Sequence, residues 1–597
     1  MLVYQAMRTT FLICNKIALS LAFVCLVCAS ADAAINVDIR GVDEEIANNI
    51  RLHLSSWESL PGTTAKEVED AVDRDVERAL QALGYYHSQT TYSIKEQTLV
   101  LEVNPGEPIL WNSANITLEG NGATAPEFIE LRNNNPFIRG ERLKHQDYEN
   151  FKRRLLNKAN ELGYLDAQLQ KSQLRIDTEK NSADVELTLQ TGQRYRLGKI
   201  TVNNSEVSQR VVNLLIEVQE GEWFSANLIG NIYNHLLESG YFTSVNIAMD
   251  KQPPDLANLT IDVVDSPEHK VSTGVGYGTD TGPRFQLKWQ RPHTNARGNS
   301  WNSQLQISGI EQSVTTRYRI PYYHPQKRYF SWDNGYQRKQ VEDALTQKLT
   351  TGLLFHLLRD NDWQYSVGVN LDHDRSRIDN EPEDIQTYVI PSARASKRGI
   401  LGDFDDPRFA YKFWLNLAQS TTYLGSDTDF SKINVGFITI TSLGQNHKLV
   451  ARLDAGAIYT ASSGDFNDVP LSQKFLTGGD QSIRGYDYDT VSPVDADGDP
   501  LGGQYFTAGS LEYRYQWAKN WQAALFYDRG RSYITDLDSC TACIDTGEEY
   551  RTSYGVGVRW LSPVGYIALD FAFPQTPAPN KTEPDNWKFH FYLSTAL

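Results

Sequence analysis

The second half of the chain alternates apolar and polar residues with a period of two. Between positions 363 and 372 the apolar residues are Trp363, Tyr365, Val367, Val369 and Leu371, and the residues between them are polar or glycine. Residues 284–289 and 553–560 show the same split. Successive side chains of a β-strand point to opposite faces, so the pattern predicts strands with one apolar face. About sixteen such runs follow one another from position 271 to the C-terminus.

Aromatic residues near the ends of nearly every predicted strand are typical of a transmembrane β-barrel, whose aromatic side chains lie at the two membrane–water interfaces. An even number of strands can also close, which removes the edges that an open sheet would expose. We therefore predict a sixteen-stranded antiparallel transmembrane β-barrel over residues 268–597. The alternative is a large periplasmic β-sandwich. The strict alternation of the C-terminal segment, with Trp587, Phe589, Phe591 and Leu593 on one face, favours the barrel.

The first half changes to helical periodicity and contains a repeated turn. Each copy follows an amphipathic helical run and precedes two strand-like runs joined by a polar hairpin. A glycine in this place ends a helix in the left-handed conformation. We predict three small α+β units, at residues 34–110, 111–194 and 195–267, whose strand edges could accept a strand from a partner. The three turns are Leu83-Gly84-Tyr85, Leu162-Gly163-Tyr164 and Ser239-Gly240-Tyr241.

The N-terminus and the net charge indicate export and exclude one class of partner. Arg8 and Lys16 precede an apolar run that ends near Cys28, and Ala31-Asp32-Ala33 offers a cleavage site, so residues 1–33 are predicted to be a secretory signal peptide. The alternative, an anchoring helix, needs ~20 apolar residues. A formal net charge of −17 argues against a nucleic-acid partner.

A long loop, residues 462–502, contains the segment Ile483-Arg484-Gly485-Tyr486 between two predicted strands. If the loop folds into the barrel, the Arg484 guanidinium is desolvated and needs carboxylates to accept its hydrogen bonds. On the next two strands the apolar residues must face lipid, which turns Glu512 on one strand and Phe526 and Asp528 on the other toward the lumen. We therefore predict that Arg484 meets Glu512 and Asp528 inside the barrel.

The first and last barrel strands must meet to close the barrel. Gly274, Gly276 and Gly278 fall on the inward face of the first strand, and Phe589 and Phe591 lie on the last. Glycine weakens a strand through backbone entropy and lost packing. These residues are therefore candidates for a seam that opens laterally. The alternative is that small inward residues make room for the inward-folded loop.

Two cysteines, Cys540 and Cys543, remain after removal of the leader. Neighbouring aspartates would allow a metal site, but a common structural zinc site needs four cysteine or histidine ligands. A disulfide within an exported loop is the prediction. We find no nucleophile with a paired base in the setting that catalysis requires, and expect no catalytic residue, no metal and no cofactor.

The repeated units resemble POTRA domains. Ile483-Arg484-Gly485-Tyr486, taken together with Glu512, Phe526 and Asp528, resembles the loop motif and partner positions of the BamA-like outer-membrane assembly superfamily. In that superfamily the loop threads back into the barrel. Three POTRA-like units and the segments 475–486 and 555–565 are similar to the TamA family of translocation and assembly module subunits, whereas BamA-like proteins usually carry five such units and two-partner secretion transporters two.

The resemblance implies a function as well as a fold. It implies a non-enzymatic protein of the Gram-negative outer membrane, with its POTRA domains in the periplasm. Such a protein contacts unfolded outer-membrane protein clients and outer-membrane lipid, and promotes folding, insertion and translocation of proteins such as autotransporters. The implied partner of the POTRA domains is a TamB-like protein anchored in the inner membrane. Two alternatives remain open: a secretion pore of the two-partner type, and an outer-membrane anchor for a periplasm-spanning lipid bridge.

Overall fold

The computed structural model describes residues 36–54, 65–95, 98–378, 382–402, 407–460, 466–535, 543, 547–562, 565–579 and 581–594. The predicted signal peptide, residues 1–33, lies outside the described residues, and so does Cys540. None of the described helices has the length and apolar character needed to cross a membrane.

Three units of the same topology precede the barrel. Each has the order strand, two helices, two strands, and its sheet places the last strand of the unit at the centre, with the first strand on one side and the second on the other. The first unit contains β1 (Asn36–Arg40), α1 (Glu44–Leu54), α2 (Ala65–Ala82), β2 (Gln89–Lys95) and β3 (Thr98–Asn104). The second contains β4 (Leu110–Glu119), α3 (Pro126–Asn133), α4 (His145–Leu162), β5 (Gln168–Asp177) and β6 (Ser182–Gln190). The third contains β7 (Arg196–Asn203), α5 (Gln209–Ile216), α6 (Ala226–Glu238), β8 (Phe242–Gln252) and β9 (Leu256–Asp265).

The second unit shows why these sequences form a compact layer of helices on a sheet. Every second residue of the central strand β6 is buried, as the alternating pattern predicts. Helix α4 buries Tyr148, Phe151, Leu155 and Ala159, which lie three or four residues apart on one face. Full burial of a large apolar side chain such as Phe151 contributes about 1.5–3 kcal/mol, so a few such residues stabilise the unit.

The repeated glycine turn ends a helix in all three units. Gly84, Gly163 and Gly240 have φ angles of 89°, 90° and 76°, in the left-handed region that side chains disfavour. The carbonyl oxygen of Gly84 accepts a hydrogen bond from Ile109 N, and that of Gly163 accepts one from Tyr195 N. Ile109 and Tyr195 directly precede the first strand of the following unit. The first two turns therefore both end a helix and bind the next unit.

Sixteen antiparallel strands form a closed barrel in which every strand pairs with its sequence neighbours and the last strand pairs with the first. The predicted barrel architecture is confirmed. The strands are β10 (Lys270–Gly278), β11 (Gly282–Arg291), β12 (Ser300–Ile307), β13 (Glu311–Tyr322), β14 (His324–Val341), β15 (Ala344–Leu358), β16 (Trp363–Ile378), β17 (Asp384–Gly402), β18 (Pro407–Ser420), β19 (Phe430–Ser442), β20 (His447–Thr460), β21 (Tyr505–Ala518), β22 (Trp521–Tyr533), β23 (Arg551–Ser562), β24 (Gly565–Pro574) and β25 (Lys588–Ser594).

The period-two pattern separates the two faces of the barrel wall. On β21, Leu511 and Tyr513 are 50% and 39% exposed, whereas Glu512 between them is 5% exposed. The register pairs Leu511 with Tyr527 and Glu512 with Phe526 on β22, so residues of the same face are neighbours. The outward residues are apolar and the inward residue is charged. This is the arrangement that lipid outside and a polar interior require.

Candidate functional site: the inward loop and the barrel seam

The loop between β20 and β21 is bound to inward-facing residues of strands around the barrel. Lys432 Nζ on β19 donates to the carbonyl oxygen of Gln473 at 2.6 Å, and Ser472 Oγ donates to Asp374 on β16 at 2.7 Å. Within the motif itself, Gly485 N donates to Ser553 Oγ on β23 at 3.1 Å. The loop therefore occupies the lumen as a structured element.

Close packing holds the motif backbone. Ile483 and Tyr486 are buried and form an apolar cluster with Val491. A Cβ on Gly485 would lie 2.6 Å from the Cβ of Ser553, so any side chain at Gly485 would push the loop away from β23. Glycine is needed at this position because the loop and β23 approach each other closely, and not because of its backbone angle.

Arg484 lies at the centre of the site, and all five of its guanidinium N–H donors have acceptors. Nε and Nη2 bind the two oxygens of Asp528, each at 2.8 Å. Nη1 donates to Glu512 Oε2 at 2.6 Å and to Asp570 Oδ2 at 3.3 Å. Nη2 also donates to Ser510 Oγ at 3.1 Å. This arrangement meets the requirement for burying a guanidinium, which is 6% exposed here.

An aromatic ring covers one face of the same guanidinium. The Cζ atom of Arg484 lies 3.4 Å from the centroid of the Phe526 ring, and Phe526 itself is buried. A cation over an aromatic face is attracted by the ring quadrupole, most strongly where water is absent. Phe526 therefore adds a contact perpendicular to the plane in which the carboxylates bind.

Two further arginines balance the charge of the three carboxylates. Arg559 donates to Glu512 at 2.9 Å and to both oxygens of Asp570, at 2.5 and 3.0 Å. Arg514 donates to Glu512 at 2.6 Å. Three guanidinium groups thus meet three carboxylates in one network. Asp528 differs from the other two acids because Arg484 is the arginine that forms its ion pair among the described residues.

The network determines the ionisation of Arg484. Burial alone favours the neutral form, but the hydrogen bonds to Asp528 and the charges of Glu512 and Asp570 outweigh it and raise the pKa of Arg484 above its ordinary value. The group is therefore a permanent cation. It acts by pairing and positioning, since it offers no proton for exchange.

The seam between the first and last strands is described as far as Ser594. Within the described residues, β10 and β25 share three residue pairs: Gly276 with Ser594, Tyr277 with Leu593 and Gly278 with Tyr592. A Cβ on Gly276 would lie 2.7 Å from the carbonyl oxygen of Leu593. Gly276 and Gly278 thus lie in the seam itself, and at Gly276 there is no space for a side chain.

The described pairs place two of the predicted seam residues against other strands. The register matches Gly274 with Gln286 of β11, and Phe589 with Phe571 of β24, whose ring centroid is 5.0 Å away. Phe591 contacts the residue that follows the first strand: its carbonyl oxygen accepts from Thr279 N at 3.0 Å.

Sequence reasoning missed several members of the site. Asp570 and Arg559 lie on β24 and β23, and each is flanked by outward apolar residues, so alternation alone would have turned both inward. Alternation also turns His590 inward, between Phe589 and Phe591, but the sequence contains no signal that it would meet Asp280. Their side chains meet at 2.9 Å although the residues are 310 positions apart, because closing the barrel brings its two ends together.

The predicted disulfide is described in part. Cys543 is disulfide-bonded, while Cys540 lies outside the described residues. No group of three or more histidine, cysteine or acidic residues suited to a metal ion occurs in the part of the chain that the structure describes.

Family models match both halves of the chain. Residues 36–105 match the POTRA domain described as TamA domain 1, and residues 195–265 match a POTRA model described as a surface antigen variable number repeat. The Omp85 superfamily domain matches residues 294–596.

Curated relatives are outer-membrane protein assembly factors named BamA. The chain is 25% identical to BamA of Nitratidesulfovibrio vulgaris over 427 residues, covering 69% of this chain and 52% of that protein. It is 23% identical to BamA of Neorickettsia risticii over 406 residues, covering 64% of this chain and 52% of that protein. The chain thus spans about half the length of these relatives.

A solved structure shares the fold. BamA from Haemophilus ducreyi lacking POTRA domains 1–3 superposes with a TM-score of 0.66 at 16% identity, covering 81% of this chain and 99% of that one. The barrel lies in the outer membrane of a Gram-negative bacterium and the POTRA domains lie in the periplasm. The matched superfamily domain covers more than half of the 597 residues, and the chain belongs to the Omp85 superfamily.

Proposed function

We propose that this protein is a non-enzymatic outer-membrane insertase of the TamA type, which promotes folding, insertion and translocation of outer-membrane proteins such as autotransporters. The observation that carries the proposal is the pairing of β10 with β25 at a seam that contains Gly276 and Gly278, next to a lumen occupied by an anchored loop. The BamA relatives and the match of residues 36–105 to a TamA POTRA model support it.

The physical argument concerns unpaired backbone groups. A strand that enters lipid must satisfy its N–H and C=O groups within protein, since the bilayer core offers no water. Separation of β10 from β25 exposes two strand edges inside the membrane. A client strand that pairs with such an edge enters lipid with its backbone already bonded. Gly276 and Gly278 weaken the first strand at this seam, which favours the exchange.

Lateral opening also requires that the rest of the barrel wall stays rigid while the seam opens. The loop motif provides this rigidity. Arg484 joins the loop to β21, β22 and β24 through Glu512, Asp528 and Asp570. These strands precede the last strand. In the proposed function they keep their register while β25 moves, and the client pairs with a defined edge.

Partners of the POTRA domains belong to the same proposal. We assign to them an inner-membrane-anchored TamB-like protein and unfolded clients. The order of each three-stranded sheet leaves its first and second strands at the edges, where an extended segment can add by backbone hydrogen bonding. No cofactor and no covalent chemistry are needed for this activity.

The test is a disulfide across the seam. Tyr277 and Leu593 are register partners on the lipid-facing side, and opposed residues in antiparallel strands lie ~4.5–5.5 Å apart, within reach of a disulfide. Tyr277→Cys with Leu593→Cys should abolish client insertion when oxidised and restore it when reduced. Val275→Cys with Phe285→Cys, which links β10 to β11, is the matched control and should leave insertion intact. Full insertion with a fully oxidised seam would refute lateral opening.

A further inference from the structure

A histidine connects the last strand both to the hairpin after the first strand and to the loop motif. His590 lies on β25, two residues before Tyr592, where the paired seam ends. Its Nδ1 contacts Asp280 Oδ1 at 2.9 Å, and its Nε2 contacts the carbonyl oxygen of Arg484. The ring is 5% exposed. One buried imidazole on β25 thus connects the last strand to the hairpin after β10 and to the loop motif.

Both partners of the ring are hydrogen-bond acceptors. A carbonyl oxygen has no proton, and Asp280 is already an acceptor on its other oxygen, which takes a hydrogen bond from Asp480 N at 2.7 Å. A neutral imidazole has one N–H donor and one acceptor nitrogen, so it can satisfy one of these contacts and not both. With Asp280 ionised, both contacts form as hydrogen bonds only when both ring nitrogens carry hydrogen.

We infer that His590 is a proton-dependent latch of the seam: with both nitrogens protonated it ties β25 to Asp280 and to the loop motif, and loss of one proton releases one of the two ties. The released contact places a nitrogen lone pair against an oxygen lone pair, which is repulsive at that distance. His590 is a positioning residue, because it acts on the seam and not on the client. The inference rests on the proposed function in one respect, the use of the seam.

The charged groups around the ring come from every neighbouring element. The hairpin after β10 contributes Asp280, β11 contributes Arg284, and the loop contributes Asp480 and Arg484. On β24, Asp570 is the register partner of His590. Asp570 forms an ion pair with Arg559. Asp280 is therefore the carboxylate that directly contacts and neutralises the charge of the protonated ring.

His590 acts beside other contacts across the seam. Among the described residues these include the hydrogen bonds between Thr279 and Phe591, of which one uses the threonine hydroxyl, and the Arg284 guanidinium, whose Cζ lies 5.4 Å from the centroid of the Tyr592 ring. A hydrogen bond between ionised partners is roughly twice as strong as a neutral one. Protonation of one imidazole is thus able to shift the balance between closed and open seams.

The test measures the seam of the full-length protein in lipid vesicles without a client. Spin labels are placed at Val275 on β10 and Val556 on β23, two lipid-facing positions that are 62% and 50% exposed. Pulsed electron spin resonance should give a narrow distance distribution at low pH that broadens and lengthens as pH rises from about 5 to about 9, the range over which an imidazole can titrate. An unchanged distribution over this range would overturn the inference.

Two variants separate the latch from a merely structural contact. His590→Gln should give the broad distribution at every pH, since a neutral amide cannot donate to both acceptors at the ring positions. Asp280→Asn should give the narrow distribution at every pH, because an amide can donate to a neutral imidazole. His373→Gln on β16 is the control, since that ring contacts Thr387 far from the seam, and it should keep the pH response of the unsubstituted protein. A His590→Gln protein that retains the pH response would overturn the inference.

Nuclear magnetic resonance of protein with nitrogen-15 in its histidines supplies a second readout. Both ring nitrogens of His590 should be protonated under the conditions that give the narrow distance distribution. A neutral ring in the closed barrel would overturn the inference. Failure of the proposed insertase function is a separate result, because it would appear as absent client insertion together with an intact pH response of the seam.

Discussion

Arg484 and Asp528 form a two-point ion pair inside the barrel, with Nε to Oδ2 and Nη2 to Oδ1 each at 2.8 Å, and the backbone N–H of Arg484 donates to the same Oδ2 at 3.1 Å. Asp528 thus fixes both the side chain and the main chain of the motif. It is fully buried. Loss of the guanidinium would leave Asp528 with Ser510 Oγ and a backbone N–H as its hydrogen-bond donors.

The first prediction concerns which acid is left as an unpaired buried charge when Arg484 is removed. Arg484→Ala should lower barrel stability by about 3–5 kcal/mol, the usual cost of leaving a buried charge without its partner. Arg484→Ala with Asp528→Asn should recover much of the loss. Adding Glu512→Gln should not help further, because Glu512 still has Arg514 and Arg559 as partners, and its neutralisation would remove the acid that pairs with Arg514 and one of the two acids that pair with Arg559. The stability of the single, double and triple variants is measured as the urea midpoint of unfolding of the barrel in lipid.

A triple variant more stable than the double variant would contradict the predicted role of Asp528. The barrel also offers a control for nonspecific loss of charge. Arg317→Ala removes a lumenal arginine that pairs with Asp333 and makes no contact with the loop motif among the described residues. It should cost less than Arg484→Ala, because the side chain of Arg317 is 47% exposed.

The second prediction concerns the shape of the cation. Arg484→Lys keeps the charge but replaces five donors in a planar fork with a compact ammonium group. It cannot bind Asp528 at two points and also reach Glu512 and Asp570, and it cannot stack flat on Phe526. We expect stability between that of Arg484→Ala and the unsubstituted protein, by the same urea measurement. Full stability of the lysine protein would show that charge alone is sufficient.

The third prediction uses the three repeated glycines as matched variants. All three have left-handed φ angles, so alanine costs roughly 1–2 kcal/mol of backbone strain at each. A Cβ on Gly84 would lie 2.4 Å from the carbonyl oxygen of Leu143, and one on Gly163 would lie 2.3 Å from that of Phe224. A Cβ on Gly240 would have no described atom within 4 Å. Gly84→Ala and Gly163→Ala should therefore also displace the following unit.

Hydrogen exchange of backbone amides measures the displacement. Leu143 and Phe224 lie against these turns, and their amides donate to Ile109 O and Tyr195 O. Each should exchange at least about tenfold faster in the corresponding alanine variant, as expected for a local loss of about 1.4 kcal/mol. The amide of Ser266, which bonds to Tyr241 O, should be little changed by Gly240→Ala. Equal effects at all three turns would show that backbone strain alone matters.

The fourth prediction is a pH dependence at the contact between the first two units. Glu45 on α1 accepts hydrogen bonds from Lys144 at 2.5 Å and from Arg142 at 2.6 Å, and these bonds lower the pKa of Glu45 below its ordinary value of 4.5. A lowered pKa stabilises the contact above 4.5, and this contribution is lost as pH falls through the lowered value. Spin labels on the two units should show a wider distance distribution once the pH falls below the lowered pKa of Glu45 than they show at pH 7.

Glu45→Gln is the matched variant, since it removes the charge and keeps the shape. It should show at pH 7 the wider distribution that the unsubstituted protein shows in acid, with little further change on acidification. The effect should be modest because the Glu45 side chain is 49% exposed and its ion pairs are screened by water. A response of Glu45→Gln identical to that of the unsubstituted protein would exclude these ion pairs as its cause.

Much of the architecture follows from local sequence patterns. Alternation assigns Leu511 and Tyr513 to lipid and Glu512 to the lumen, because successive side chains of a strand point to opposite faces and the face in contact with lipid must be apolar. The glycine of each repeated turn marks a helix end, because left-handed backbone favours glycine. The pairing of Arg484 with Glu512 and Asp528 could also be predicted, because the acids lie on the two strands that follow the loop and face the space into which the loop folds.

Only the tertiary structure decided which groups complete the site. Asp570 joins Arg484, and His590 joins Asp280, because a closed barrel brings together strands that are remote in sequence, and the register of each pair sets which side chains share a level. Register at the seam depends on how the last strand meets the first when the barrel closes, and it pairs Gly276 with Ser594 and Gly278 with Tyr592. By itself the sequence determined the direction of each side chain, through the geometry of the strand; the fold determined the neighbours of that side chain, because they depend on how the barrel closes.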